Sequence, residues 1–276
     1  MSQQHPVALD RHLEEQASRA GRSSKSNSSL ERMLMILDLF SEEVPIWSVE
    51  AMCDALGYTR STAYRYTKEL TEAGLLFQVE PRRYGLGSRI IQWDRQLRLT
   101  DPLVKATRGI EPELDVFDGE QIWIVCRLFN DQVICVHSHG HLKEPVSYAR
   151  GTPRPLFMGA TSKIILAYLP ARQHMRLFLE HQNEVVKGSL GSSWEEFKDV
   201  LQTIRRQGYS ESHGEVDPNL FGLAAPIFDG NGKVVASLSC VRPQTSYRED
   251  QAEKQRQVIM TLANRLTEKL TQLISS

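Results

Sequence analysis

The sequence predicts an α+β chain: an N-terminal winged helix-turn-helix, a linking helix, and a larger C-terminal domain built on an antiparallel sheet. Three observations predict it. Apolar residues recur at helical spacing between Leu30 and Ala73. After Gly74 that period gives way to two short strand-like runs around Glu80-Pro81-Arg82. In the second half, strand-like runs joined at Asn130-Asp131 and around Asp229-Gly230-Asn231-Gly232 alternate with helical stretches.

Residues 1–28 are polar, lead into the Ser-rich stretch GRSSKSNSS and are expected to be a flexible arm, with a short helix expected near Ala8–Ala20. The winged helix-turn-helix is expected over 29–87. Leu30, Met33, Leu34, Leu37 and Phe40 predict a first helix over about 30–40. Ser48 caps a second helix that buries Ala51, Met52, Ala55 and Leu56, and Gly57 ends it. Thr59 caps a third helix that runs to Ala73. Leu75–Val79 and Arg83–Leu86 then make a hairpin. The linking helix is expected over 88–100, with Ile90, Ile91, Trp93 and Leu97 apolar. The C-terminal domain follows over 101–276. Its helical pattern at 102–117 is broken by Gly109 and Pro112. Strands are expected at 121–129, 132–138 and near 146–149, then helices at 160–169, 171–181 and 193–207. Strands at 220–229 and 233–241 and a helix at 247–274 complete it.

The chain has 276 residues, 41% of them hydrophobic and 24% charged, with a formal net charge of −1. The molecule as a whole therefore does not attract polyanions, and any nucleic-acid binding needs a local patch. No apolar run approaches the roughly 20 residues that span a bilayer, so no membrane partner is expected. The N-terminal stretch lacks the apolar core of a secretory signal. Cys53, Cys126, Cys135 and Cys240 form no CxxC pair, which fits a reducing cytoplasm and argues against a structural zinc site. No cofactor is expected.

The third helix carries the most specific chemistry. Ala63, Tyr66, Thr67, Leu70 and Ala73 fall on one face, which packs inward. Arg60, Ser61, Tyr64, Arg65 and Lys68 fall on the other. A recognition helix reads base edges with its N-terminal residues: Arg forks onto guanine, and hydroxyls serve bases or phosphates. Thr59, Arg60, Ser61, Thr62, Tyr64, Arg65 and Lys68 are thus candidate DNA contacts, with Arg82 and Arg83 at the wing tip. A merely solvated helix face is the plainer alternative. From Leu30 to Thr100 nine Lys/Arg stand against ten Asp/Glu, so overall charge does not decide. The combination of two preceding helices, glycine stops and a basic wing does.

These stretches resemble a known family, the IclR-type bacterial transcriptional regulators. The resemblance rests on SLERMLMILDLF, RSTAYRYTKELTEAGLL and YGLGSRI, then on GTPRPLFMGATSKIILAYLP and GYSESHGEVDPNLFGLAAPIFDGNGKVVASLSCVRP. It covers about 29–272. It implies a GAF-like effector-binding domain, dimers commonly paired into tetramers, double-stranded operator DNA, and small metabolites, often carboxylates or aromatics, as effectors. The chain departs from the family pattern where ligand is held. Ser162 replaces a glycine, Ser212-His213-Gly214-Glu215 replaces an acidic stretch, Phe221-Gly222 replaces Arg-Cys, and Val241 replaces a serine.

A two-residue turn at Gly230-Asn231 would set Gly222 opposite Ser239, Leu220 opposite Val241 and Ala224 opposite Ser237, all on one small, mildly polar sheet face. Such a face accepts either a closely packed helix or a ligand. The helix that opens at Gly159-Ala160-Thr161-Ser162 offers N–H groups to a carboxylate. Ala160, Thr161, Ser162, Ser212 and Ser239 are the expected effector contacts, and Leu220, Gly222 and Val241 the walls. One hydroxyl fewer than the family pattern points to an apolar or aromatic carboxylate.

An enzyme, or a redox or metal sensor using the C-terminal domain, is the competing class; an architectural DNA binder without ligand is a third. No nucleophile elbow, phosphate-binding glycine loop or HExxH is present. His137, His139 and His141 could place three imidazoles on one strand face as a metal site, but Gly140 is expected to break the strand and no acidic ligand to lie adjacent, so a polar strand end and loop is the expected reading. Cys126 and Cys135 are opposed across the Asn130-Asp131 turn and read as buried thiols, with a redox switch as the alternative.

Overall fold

The computed structural model describes residues 28–129, 131–143, 147 and 149–275. The helix expected near Ala8–Ala20 lies outside them, as do Val146 and Tyr148 of the strand expected near 146–149. The chain divides into two compact units between Arg98 and Leu99.

In the first unit, α1 (Ser29–Leu34) is capped by Ser28, whose hydroxyl accepts from the Glu31 N–H at 3.1 Å. The single helix expected over 30–40 breaks here. The Tyr58 hydroxyl donates to the Arg32 carbonyl at 2.8 Å, and the Ile36 N–H turns to Met33 instead. The chain tightens into a 3-10 turn at Leu37–Leu39, which leaves both Ile36 and Leu39 fully buried. The strand β1 (Trp47–Ser48), not anticipated, leads into α2 (Val49–Leu56). Ser48 caps α2 by accepting from the Ala51 N–H, and Gly57 ends it at φ +66°. The third helix, α3 (Arg60–Glu72), buries Ala63, Tyr66, Thr67 and Leu70. The wing is β2 (Leu76–Glu80) and β3 (Arg83–Leu86), in a sheet of order β1-β3-β2. The helix α4 (Arg89–Thr100) follows and buries none of its side chains.

The second unit starts with α5 (Pro102–Arg108), capped by Asp101, and a 3-10 turn at Glu111–Glu113. Its sheet contains β4 (Gln121–Phe129), β5 (Gln132–His141), β6 (Pro153–Arg154), β7 (Ser210–His213), β8 (Leu220–Phe228) and β9 (Val234–Pro243). All pairings are antiparallel, in the order β6-β5-β4-β9-β8-β7. Between β6 and β7 run α6 (Ala160–Ala167), α7 (Ala171–Glu180), α8 (Gln182–Lys187) and α9 (Trp194–Gln207). The last helix is α10 (Glu249–Ser275).

Alternation in the strands separates two cores. Ile124, Cys126, Leu220, Ala224 and Val241 pack with residues of α6, α7 and α9. Trp123, Val125, Phe221, Leu223, Leu238 and Cys240 pack with α5 and α10.

The β8–β9 register differs from the expected one. Gly222 faces Val241, Ala224 faces Ser239, Pro226 faces Ser237 and Leu220 faces Pro243. The turn is longer than two residues: the Asp229 carboxylate accepts from the N–H groups of Asn231 and Lys233, and the Asp229 N–H donates to the Lys233 carbonyl. A bulge beside Phe228 adds one further residue. The net slip is even, so every side chain keeps its expected face.

Candidate DNA interface and ligand face

Thr59 terminates the loop before α3, and its hydroxyl accepts from the Thr62 N–H at 3.3 Å while touching the Thr62 and Ser61 hydroxyls. A cap of this kind is worth about 1 kcal/mol. It also fixes where the N-terminal turn of α3 begins. Arg60, Ser61, Tyr64, Arg65 and Lys68 are exposed, and Thr62 is half-buried. The Arg65 guanidinium lies over the Tyr66 ring and Lys68 pairs with Glu72 at 3.7 Å, both at the surface. At the wing tip Arg82 adopts φ +63°, and its carbonyl accepts from the Val49 N–H. Arg83 pairs with Glu80 at 3.0 Å. One unit thus carries the α3 cations and hydroxyls together with the wing arginines.

In the second unit the structure brings most of the expected ligand residues together under α6. A Cβ on Gly222 would stand 2.9 Å from the Ser212 hydroxyl and 3.7 Å from the Ala160 Cβ. Ser212 pairs with Gly222, and Ser237 donates to the Thr161 carbonyl at 3.1 Å. Leu220 and Val241 are buried in the same core. The hydroxyls of Ser162 and Ser239 are buried and have no hydrogen-bond partner among the described residues. Leaving a buried hydroxyl unpaired costs on the order of 1–3 kcal/mol. A groove of about 650 Å³ between Asp118, Glu120, His141 and Ser246 includes none of the expected effector residues.

The start of α6 is not vacant. Glu215 accepts from the Gly159 N–H at 2.9 Å and from the Lys163 ammonium at 2.8–2.9 Å. Two residues on, Asp217 accepts from the Ser147 hydroxyl at 2.5 Å and lies 3.7 Å from the buried guanidinium of Arg154. Sequence reasoning missed these four residues, Arg154, Lys163, Glu215 and Asp217. Arg154 had a signal, a cation between Pro153 and Pro155 at the edge of an apolar run. Lys163 had one too, as the sole charge in the otherwise uncharged run ATSKIILAYLP.

The histidine expectation is corrected. β5 runs through Gly140, at φ +95°, to His141. Glu111, distant in sequence, places one carboxylate oxygen 2.7 Å from His137 Nε2 and the other 3.9 Å from His139 Nδ1. Burial nevertheless pushes the His137 imidazole below its usual range, against the pull of Glu111. A bulge between Val125 and Cys126 accounts for the histidines leaving the Cys135 face.

Together the two units define a DNA-binding protein of the winged helix-turn-helix class with an appended antiparallel-sheet domain. Residues 29–80 match the IclR helix-turn-helix domain, and residues 100–268 match the C-terminal domain of the bacterial transcriptional regulator IclR. The chain belongs to the IclR family of bacterial transcriptional regulators, a family of regulators rather than enzymes. It is similar to the HTH-type transcriptional regulator KdgR of Escherichia coli (strain K12), at 25% identity over 246 residues, 88% of this chain and 92% of that one. Among solved structures it resembles an IclR-type regulator from Silicibacter sp. TM1040, with a TM-score of 0.74, 20% identity, and 88% and 96% of the two chains covered. An IclR homolog from Microbacterium hydrocarbonoxydans, complexed with 4-hydroxybenzoate, superposes with a TM-score of 0.68 at 19% identity, covering 88% and 99%. These likenesses show the fold. Among the described residues no helix is long and apolar enough to cross a membrane.

Proposed function

We propose that α3 docks in the major groove of a two-fold operator, with Arg60 and Arg65 on base edges. Thr59, Ser61, Thr62, Tyr64 and Lys68 serve phosphates or bases, and Arg82 and Arg83 grip the flanking backbone. A small effector then controls operator binding from the second unit. The observation that carries the effector reading is the pair of buried, unpartnered hydroxyls, Ser162 and Ser239, on α6 and on the sheet face it covers.

The effector we infer is an aromatic or similarly apolar carboxylate. Leu220, Gly222, Ala224 and Val241 give that face an apolar, small-residue lining. The relative that binds 4-hydroxybenzoate supports the same class. Lys163 and the first N–H groups of α6 are the seat for the acid. Glu215 occupies that seat, and its side chain is 27% exposed, so the ligand's carboxylate enters by exchange with it.

Calorimetry with benzoate and pyruvate tests the assignment. Benzoate is expected to bind more tightly. Ser239→Ala lowers affinity by roughly 0.5–1.5 kcal/mol, Val241→Ser favours pyruvate because its buried hydroxyl needs a partner, and Glu215→Gln strengthens benzoate severalfold. Tighter binding of pyruvate to the unmodified protein, or no response to any substitution, refutes the reading.

A further inference from the structure

We propose that Cys126 and Cys135 form a reversible redox modification site, a cross-strand dithiol that closes to a disulfide on reaction with a hydroperoxide. The proposal stands apart from the effector reading. The two residues are direct partners in the β4–β5 ladder. Residues so opposed in an antiparallel pair have Cα atoms about 4.5–5.5 Å apart, within the roughly 4.4–6.8 Å span a disulfide needs. Both thiols point into the core beneath α6. Closing the bond therefore joins strands already paired, around a short hairpin, without moving the backbone to a new register.

The surroundings give the two thiols different roles. The Cys135 thiol donates to the His137 carbonyl at 3.4 Å; the adjacent Cys126 thiol, then the guanidinium charges of Arg150 and Arg154, lower its pKa below that of an ordinary thiol. The neighbouring Cys135 sulfur, and then burial, push Cys126 well up. Arg154 comes from β6, which pairs with β5 beside this position, and Arg150 donates to the Val136 carbonyl next to Cys135. Neither remaining cysteine has this setting. Cys240 is buried on the opposite sheet face, and burial raises it; Cys53 lies in the first unit, where burial and Asp54 raise it.

The chemistry balances in two steps. The Cys135 thiolate attacks the terminal oxygen of the hydroperoxide. An S–O bond forms, the O–O bond breaks, and the leaving alkoxide or hydroxide takes a proton. Cys126, deprotonated in the second step, attacks the sulfenic sulfur; the S–S bond forms, the S–O bond breaks and water leaves. Two thiols are oxidised and one peroxide is reduced, and a thiol reductant reverses the change. Cys126 also faces Ser237, which holds the Thr161 carbonyl, so the new bond lies directly under α6.

The test is peroxide titration of the full chain, followed by intact mass and peptide mapping. The expected result is the loss of two hydrogen masses per chain, a cross-link between the peptides that carry Cys126 and Cys135, and recovery with dithiothreitol. Cys126→Ser and Cys126→Ala should leave a sulfenic acid at Cys135, trapped by dimedone faster than any adduct at Cys53 or Cys240. Cys135→Ser should abolish both products. The proposal is overturned if peroxide that modifies Cys53 in the folded, unmodified protein leaves Cys126 and Cys135 as thiols. It is equally overturned if the only disulfide found joins Cys53 residues of two chains.

Discussion

Arg82 illustrates how a single residue can serve function against its own backbone. A non-glycine residue in the left-handed region loses about 1–2 kcal/mol to the clash between Cβ and the following carbonyl. Arg82 accepts that strain at φ +63° and presents its side chain at the exposed wing tip. Arg82→Gly is therefore expected to leave thermal stability unchanged or slightly raised. DNA affinity should fall evenly across sequences, with a shallower salt dependence. Arg60→Ala and Arg65→Ala should behave differently, each costing about 1–3 kcal/mol of operator affinity and relaxing sequence preference. Gel-shift titrations at two salt concentrations separate the cases, and unchanged operator affinity in a folded Arg60/Arg65 double variant defeats the docking assignment. These side chains were legible in the sequence because helical spacing alone settles which face of α3 turns outward. Glu215 was not legible. Its place on α6 depends on a contact across 52 to 56 residues of chain that no local pattern encodes.

At the scale of elements, short-range chemistry was read well and long-range geometry was not. Ser48, Gly57 and Thr59 mark the ends of α2 and α3 through bonds to residues a few positions away. The break after α1 depends on Tyr58 reaching back to Arg32, and the short β1 exists only because β3 pairs with it. The bulges beside Phe228 and Cys126 likewise set registers that turn residues alone cannot. The wing's closure is the sharpest such case. The Gly87 N–H donates to the Leu75 carbonyl at 2.7 Å, and a Cβ on Gly87 would lie 2.1 Å from the Gly74 carbonyl oxygen. That oxygen belongs to backbone and accepts from the Arg89 N–H, so it cannot swing aside. Gly87→Ala should destabilise the first unit by about 1–3 kcal/mol or more, as overpacking does. A melting transition unchanged by Gly87→Ala would show that the crossing yields more easily than these distances imply.

For the whole molecule, the telling feature is a helix without a core. α4 buries no residue, and along it Ile91 is 72% exposed, Leu97 55% and Trp93 46%. Apolar side chains at this density on one exposed helix are what a surface that meets another chain would carry, and we propose α4 as such a surface. A two-fold partner fits the docking proposed above, in which one copy supplies one recognition helix and a two-fold operator would offer two half-sites about 34 Å apart, one turn of the duplex. Of the charges on α4, Asp94 and Arg98 pair with each other at 2.6 Å, one turn apart, which leaves Arg89 and Arg95 as the cations the interface must place at its rim. We therefore expect at least a dimer at micromolar concentration, held in part by α4. Ile91→Asp with Leu97→Asp should shift the mass measured by light scattering toward the monomer, since burying either carboxylate in an apolar contact is costly. The same variant should retain its secondary structure, because neither side chain supports a core within its own chain. Its operator affinity should fall steeply, while affinity for a single half-site holds. A monomeric unmodified protein, with or without DNA, would remove the premise. A double variant that remained dimeric would move the interface off α4 to another surface.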